Sequence, residues 1–297
     1  MRDNPGEEGG AGARCCACGG FSVEVALDVG PQPPSNLFLA EPSRVCPRHP
    51  LRFGVCTACG LAQLIDPMPE NMVRCTHAWL RYDEPEQHLD ALAEQLASHL
   101  SGKRIRARGV SYKDATLLKR LRGKGWDIVP DAGARADVVL ARHILEHARE
   151  PRRFVEECAR LMTPGGILVF EVPGCEAMLR QQWHCFLWEE HRCYFTAEGL
   201  RRFLRSCGLE ILELLEYPMP LENSIVVLAR PESAPDGAPT FPEGELEAFC
   251  GLVHAFGASF RRRRDETRAA VRRLTDAGHT VNLFGAGHLG MKFVNFY

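Results

Sequence analysis

Two C-x-x-C pairs constrain the first 70 residues more tightly than any other feature of this chain. Cys15 and Cys18 form one, Cys56 and Cys59 the other, and each pair is followed directly by a glycine, Gly19 or Gly60. Thiolates three residues apart around a tight turn point two sulfurs the same way, so two such turns build a tetrahedral four-thiolate set for zinc. Four protein ligands leave no open position, which makes the expected ion structural. The loop between the pairs is longer than in a minimal ribbon, at a closure cost that grows only slowly with length. Cys16 and Cys46 are spare, and His49 could replace one ligand. The other cysteines, of thirteen in all, are scattered singly through helices and loops, as thiols are in a reducing compartment. With no apolar run near the roughly 20 residues of a membrane span, and no apolar signal segment at the N-terminus, the expectation is a cytoplasmic chain without a membrane partner. The net charge of -2 gives no footprint for nucleic acid, and the one basic run, Arg261 to Arg264, falls in a predicted helix as a solvated face.

Beyond residue 70 the pattern changes to helices alternating with apolar strands. Leu89, Leu92, Leu96 and Leu100 mark a helix, residues 104–110 a strand, and Ser111 to Thr116 a turn into a helix carrying Leu117, Leu118 and Leu121. A strand over residues 136–141 runs into the loop His143-Ile144-Leu145-Glu146-His147. The helix bearing Phe154, Cys158 and Leu161 closes at Thr163-Pro164-Gly165-Gly166, and residues 167–172 read as a strand buried on both faces. A helix over residues 197–207 stops at Gly208, and residues 209–217 and 224–229 read as two antiparallel edge strands. This alternation predicts an α/β fold, a mostly parallel doubly wound sheet with ligands at the carboxyl ends of its strands. Residues 126–137 are too few for a full second strand.

The expected organisation is a disordered tail (1–13), a zinc-binding module (14–70), an α/β domain (71–230), a linker holding four prolines (231–244), and a long helix over residues 245–277. A strand at 280–284 and the turn Gly285-Ala286-Gly287-His288-Leu289-Gly290 then read as the start of an incomplete Rossmann-like domain. Such a turn presents backbone N–H groups to a phosphate at a helix N-terminus. The alternative is that it merely caps the long helix.

The stretch Trp188-Glu189-Glu190-His191-Arg192-Cys193-Tyr194-Phe195-Thr196 brings two carboxylates, an imidazole and a phenol together at a strand's carboxyl end. A Glu beside a His can orient or charge the imidazole and make a general base. The plainer alternative is a polar surface loop over buried aromatics.

The order of these parts resembles the S-adenosylmethionine-dependent C-methyltransferases of deoxysugar biosynthesis, over almost the whole chain. The matching features are the paired knuckles with Gln32-Pro33-Pro34-Ser35-Asn36 between them, Tyr82 and His88, Leu145-Glu146-His147, Thr163-Pro164-Gly165-Gly166 with Glu171-Val172-Pro173, the Glu190-His191 loop ending in Tyr194-Phe195, and the Gly285 turn. The resemblance implies a class I methyltransferase domain between a zinc module and a Rossmann-like domain. It implies a nucleotide-linked keto-sugar as substrate, deprotonated to an enolate that takes the methyl group. Carried over, His191 is the base, Glu190 its orienting partner, and Tyr82 and His147 hold or polarise the substrate. Trp188, Tyr194, Gly285 and Gly287 fall on the substrate side; Ser111, Asp114 and His143 fall on the side of S-adenosylmethionine. The chain departs from the family in having Trp188 for a Tyr and Glu189 for a His. At the cofactor turn Gly-x-Asn-Asp-Gly it has Ser111 to Ala115, with only Asp114 kept. Three functions stay open: a sugar C-methyltransferase, a proton-transfer enzyme that has abandoned S-adenosylmethionine, and a silent module binding a nucleotide-sugar or a protein.

Overall fold

The computed structural model describes residues 13–39, 41, 43–74, 86–100, 104–130, 133–232, 242, 244–285 and 287–297. In chain order these form β1 (Val23–Gln32), β2 (His49–Cys56), β3 (Ala62–Leu64), α1 (Glu70–Val73), α2 (Leu89–His99), β4 (Arg106–Gly109), α3 (Ala115–Gly123), β5 (Asp127–Ile128) and β6 (Ala136–Arg142). There follow α4 (Pro151–Arg160), β7 (Met162–Pro173), α5 (Glu176–Gln181), β8 (Cys193–Tyr194), α6 (Ala197–Ser206), β9 (Leu209–Tyr217), β10 (Ser224–Pro231), α7 (Glu245–Asp276) and α8 (His288–Phe296).

The larger sheet has the order β5-β4-β6-β7-β10-β9. Its first four strands are parallel, and β10 is inserted antiparallel to both β7 and β9. Of the last two strands only β9 is therefore an edge, which corrects the expectation that both are: Ile225 to Ala229 are all buried because β10 is flanked on both sides. The short β5 agrees with the shortage of residues before Asp137. Strand β7 begins five residues earlier than expected, at Met162, since the Thr163 to Gly166 turn continues into the ladder.

The smaller antiparallel sheet, β1-β2-β3-β8, shows how the two parts are joined. Three strands come from the cysteine-rich segment, but the fourth is Cys193–Tyr194 from the Trp188 loop, with Ala62 opposite Tyr194 and Gln63 opposite Cys193. The loop is thus pinned into the knuckle sheet. Helix α7 lies across the other face of that sheet. At Gly257 a Cβ would stand 1.9 Å from the carbonyl oxygen of Ala26, so helix and strand approach too closely for any side chain there. Phe256, Phe260, Phe53 and Leu51 close this second core, joined by Phe296 of α8.

One expectation fails in the C-terminal segment. Residues 280–284 form no strand: Val281, Leu283 and Phe284 are exposed, and Phe284 is fully so. Nothing among the described residues offers them a ladder. The glycine turn nevertheless leads into α8, and a Cβ at Gly290 would lie 2.4 Å from the Gly285 carbonyl, so the last glycine of the motif lets the turn fold back on itself. The expected tail (1–13, apart from Ala13), most of the 231–244 linker and Tyr82 lie outside the described residues. Among those described, no helix is long and apolar enough to cross a membrane.

Candidate active site

At the carboxyl ends of β6 and β7, where a doubly wound sheet takes its ligands, a cavity of about 350 Å³ opens between the two sheets and α8. His143, Glu146, Trp188, His191, Ser224 and His288 contribute its polar or aromatic wall. The ring of Trp188 stacks on His288 with centroids 4.7 Å apart, so α8 packs on the wall that bears the loop.

His191 sits at the middle of this wall. Its ring centroid is 4.8 Å from that of Trp188 and 4.8 Å from that of His147. Burial, reinforced by the positive potential of His147, Lys113, His288 and His143, holds its pKa well below 6.5. The imidazole is neutral at pH 7 and able to accept a proton. The carboxylate that reaches the pair is Glu146 rather than the expected Glu190: Glu146 Oε1 lies 3.7 Å from His147 Nε2, while His147 Nδ1 donates to the Glu190 carbonyl oxygen at 3.0 Å. Glu190 turns its side chain away to accept a hydrogen bond from Asn36 Nδ2, and burial with the charge of Glu189 raises its pKa to about 7. Glu189 accepts from Ser35 through its backbone N–H and its hydroxyl, and pairs with Lys292 of α8 at 2.5 Å. Hence Ser35 and Asn36 hold the Glu189 and Glu190 carboxylates, and α8 is tied to the same point through Lys292. Tyr194 is also a brace: its hydroxyl accepts from Trp188 N and donates to Trp188 O, both at 2.9 Å, so the phenol is spent inside the loop rather than on a substrate. Of the two turn glycines, neither borders the cavity; their neighbours His288 and Leu289 do.

Behind His143 lies a buried network that the sequence reading missed. Glu171, in the middle of the apolar β7, accepts from His143 Nε2 at 3.0 Å, His88 Nε2 at 2.9 Å, Ser224 Oγ at 2.6 Å and Arg142 Nε at 2.5 Å. Burial pushes this carboxyl up, but the hydrogen bonds from His143 and His88 and the Arg142 charge outweigh it and hold the pKa well below 4.5. His143 itself adopts a left-handed backbone, φ +47°, a strain of the kind that concentrates at functional sites. A charged residue within an otherwise apolar strand was the available signal.

On the cofactor side the turn after β4 needs no glycine: Ser111 is extended at φ -142° and Ala115 helical at φ -58°. Asp114 does not face outward as a ligand contact. Its carboxylate accepts the N–H groups of Val110, Ser111 and Arg142 at 2.8–2.9 Å, bracing β4 against β6, and burial raises its pKa to about 6. Next to this turn Arg142 Nη1 donates to Lys113 O at 2.8 Å, while Arg142 Nη2 is buried with no partner among the described residues. An unspent guanidinium donor beside the turn suits the carboxylate of an amino-acid-bearing cofactor.

A family model described as a methyltransferase domain matches residues 16–214. The chain belongs to this methyltransferase family. Its curated relatives include a ubiquinone biosynthesis O-methyltransferase of Parvibaculum lavamentivorans, 24% identical over 182 residues, covering 57% of this chain and 63% of that protein. Another is the C-methyltransferase NovU of Streptomyces niveus, 26% identical over 158 residues, covering 51% of this chain and 37% of NovU. The matched part thus spans less than two thirds of either relative. Among solved structures, a Burkholderia thailandensis 1,6-didemethyltoxoflavin-N1-methyltransferase aligns with a TM-score of 0.38 at 18% identity, over 50% of this chain and 80% of that one. The chain carries the methyltransferase domain of this family on a mixed α/β sheet.

The four knuckle cysteines converge. Cys15 Sγ lies 3.5 Å from Cys59 Sγ and Cys18 Sγ 3.7 Å from Cys56 Sγ, with all four within 4.8 Å of one another. A tetrahedral ion with sulfur at about 2.3 Å has edges of about 3.8 Å, so the set fits zinc. Both knuckles turn at glycine, Gly19 at φ +77° and Gly60 at φ +70°. Cys46 and His49 are not part of this cluster.

Proposed function

We propose that this methyltransferase is a C-methyltransferase acting on a nucleotide-linked keto-sugar through an enolate, with His191 as the general base. The observation that carries the reading is the His191 imidazole in the cavity wall at the strands' carboxyl ends, held below its ordinary pKa chiefly by burial. A base must be uncharged before it acts, and the nearby Lys113 charge favours the negative oxygen that develops as it acts. His191 takes the proton from the carbon beside the carbonyl; the C–H electron pair moves into the new carbon–carbon double bond, and the carbonyl pair onto oxygen. Bound S-adenosylmethionine supplies an electrophilic methyl group. Ser111, His143 and Arg142 would hold it, Arg142 through its unspent Nη2. Glu146 and His147 fix the neighbourhood of His191, and the start of α8 at His288 and Leu289, which border the cavity, would take the diphosphate. The similarity to a C-methyltransferase supports the carbon as acceptor.

Calorimetric titration with S-adenosylmethionine and with its demethylated product should show binding by the full chain. No heat and no thermal shift at millimolar ligand would sink the methyl-transfer reading and leave proton transfer alone as the activity of the site. That second reading has one observation in its favour, the replacement of both turn glycines by Ser111 and Ala115.

Zinc in the four-cysteine site is part of the same proposal, as a structural ion. Protein purified without chelator is expected to carry one zinc per chain, and Cys56→Ser to lose it; a zinc content near zero in the parent protein would refute the assignment.

A further inference from the structure

Besides the four cysteines, one other cluster among the described residues has the makings of a metal site. Glu146, His147 and His191 each present a ligand atom, all within 4.8 Å of one another. Three features point to a ligand set rather than a chance meeting. His147 Nδ1 donates to the Glu190 carbonyl at 3.0 Å, which fixes the tautomer and leaves Nε2 as the lone-pair nitrogen, and Nε2 is the atom that faces Glu146 Oε1 at 3.7 Å. A histidine whose other ring nitrogen donates to a backbone carbonyl is the usual arrangement of a metal-ligating imidazole. The backbone that aims the trio is held at both ends, since the Arg192 N–H donates to the Glu146 carbonyl at 2.7 Å and Trp188 packs edge-on to His147 with centroids 5.9 Å apart. Finally, Glu146 and His191 border the cavity of the proposed reaction while His147 borders the groove on its other side, so an ion held between them has a face open to a small molecule.

We propose that Glu146, His147 and His191 form a second metal site, for a divalent first-row transition ion. Two imidazoles and one carboxylate suit Co²⁺, Ni²⁺, Fe²⁺ or Zn²⁺ rather than the oxygen-seeking Mg²⁺ or Ca²⁺. Three protein ligands leave positions open toward the cavity, unlike the closed four-cysteine set. The site rests on the same residues as the proposed base, with one consequence: the ion and the abstracted proton compete for the His191 lone pair. Metal-loaded protein is therefore held out of proton transfer, and metal-free protein is the active form.

The test uses metal alone, so it stands whether or not the sugar chemistry is found. Full-length protein with its cysteine site filled by zinc is titrated with Co²⁺ by calorimetry, and the absorption spectrum is followed for thiolate-to-cobalt bands that would report exchange into the cysteines. The expected result is one equivalent of Co²⁺ bound without thiolate bands, weakened at least tenfold in Glu146→Gln and in His147→Gln, and unchanged in His99→Gln, a distant control. Thermal unfolding of each variant checks that the fold is kept; should Glu146→Gln fail to fold, His147→Gln decides alone. No cobalt beyond that entering the cysteines, or equal binding in a folded His147→Gln variant, overturns the proposal.

Discussion

Replacing His191 by Ala is expected to remove solvent deuterium exchange at the carbon beside a keto-sugar's carbonyl, with a fall of roughly 10²–10⁴-fold in turnover, the usual worth of a positioned base. The imidazole packs against Trp188 and His147 through ring contacts, so the variant should unfold cooperatively like the parent. The pH dependence follows from the same burial. Because the folded pKa of His191 lies well below 6.5, the acidic limb attributable to this residue in kcat/KM should appear below pH 6.5. The stability sign is consistent: below pH 6.5 the unfolded chain takes up a proton that the folded site resists, so this group costs stability as pH falls past 6.5. Exchange that persists at the parent rate in a folded His191→Ala protein would remove the residue from the mechanism.

Glu171→Ala should cost on the order of 3–5 kcal/mol of folding stability, the range for deleting one partner of a buried charge pair. Arg142, 1% exposed, would be left charged in the interior beside His88 and His143 with no carboxylate. Urea denaturation at pH 7 measures the loss, and a change below about 1 kcal/mol would show that the network adds nothing net. The pH behaviour separates charge from packing. A carboxyl held below its ordinary 4.5 contributes fully above pH 4.5, and that contribution is lost as pH falls through the folded pKa. Glu171→Gln, which keeps the shape but not the charge, should therefore lower stability at neutral pH and flatten the acid limb of the stability profile. Such a network also accounts for His143 tolerating φ +47°, since its ring is held at Nε2 by Glu171 and its backbone N–H donates to the Glu171 carbonyl at 2.8 Å.

Local composition made much of the fold legible. The C-x-x-C-Gly pairs and the helix and strand periodicities of residues 89–229 depend on chemistry within a few residues, and the structure keeps them with boundary shifts of a few positions. The strand expected at 280–284 did not form because a strand is defined by its neighbours, and Val281 to Phe284 have none among the described residues. The site was legible in part. His191, Trp188, His143 and Glu146 all lie in stretches whose composition marks them, and adjacency in the sequence points to Glu190 as the partner of His191. The Glu190 carboxylate accepts from Asn36, while the ligand atoms of Glu146, His147 and His191, from two separate loops, lie within 4.8 Å of one another.

By itself the sequence determined the elements, the four-thiolate knuckles and the presence of an imidazole at a strand's carboxyl end, because each follows from spacing along one segment. Only the tertiary structure decided which carboxylate meets which histidine, that Cys193–Tyr194 completes the knuckle sheet, and that α8 closes the cavity through His288 and Lys292. The physical reason is that these pairings join residues dozens to more than a hundred positions apart. Their choice rests on which buried polar groups can be satisfied together, and that is fixed only when the sheets and helices have packed.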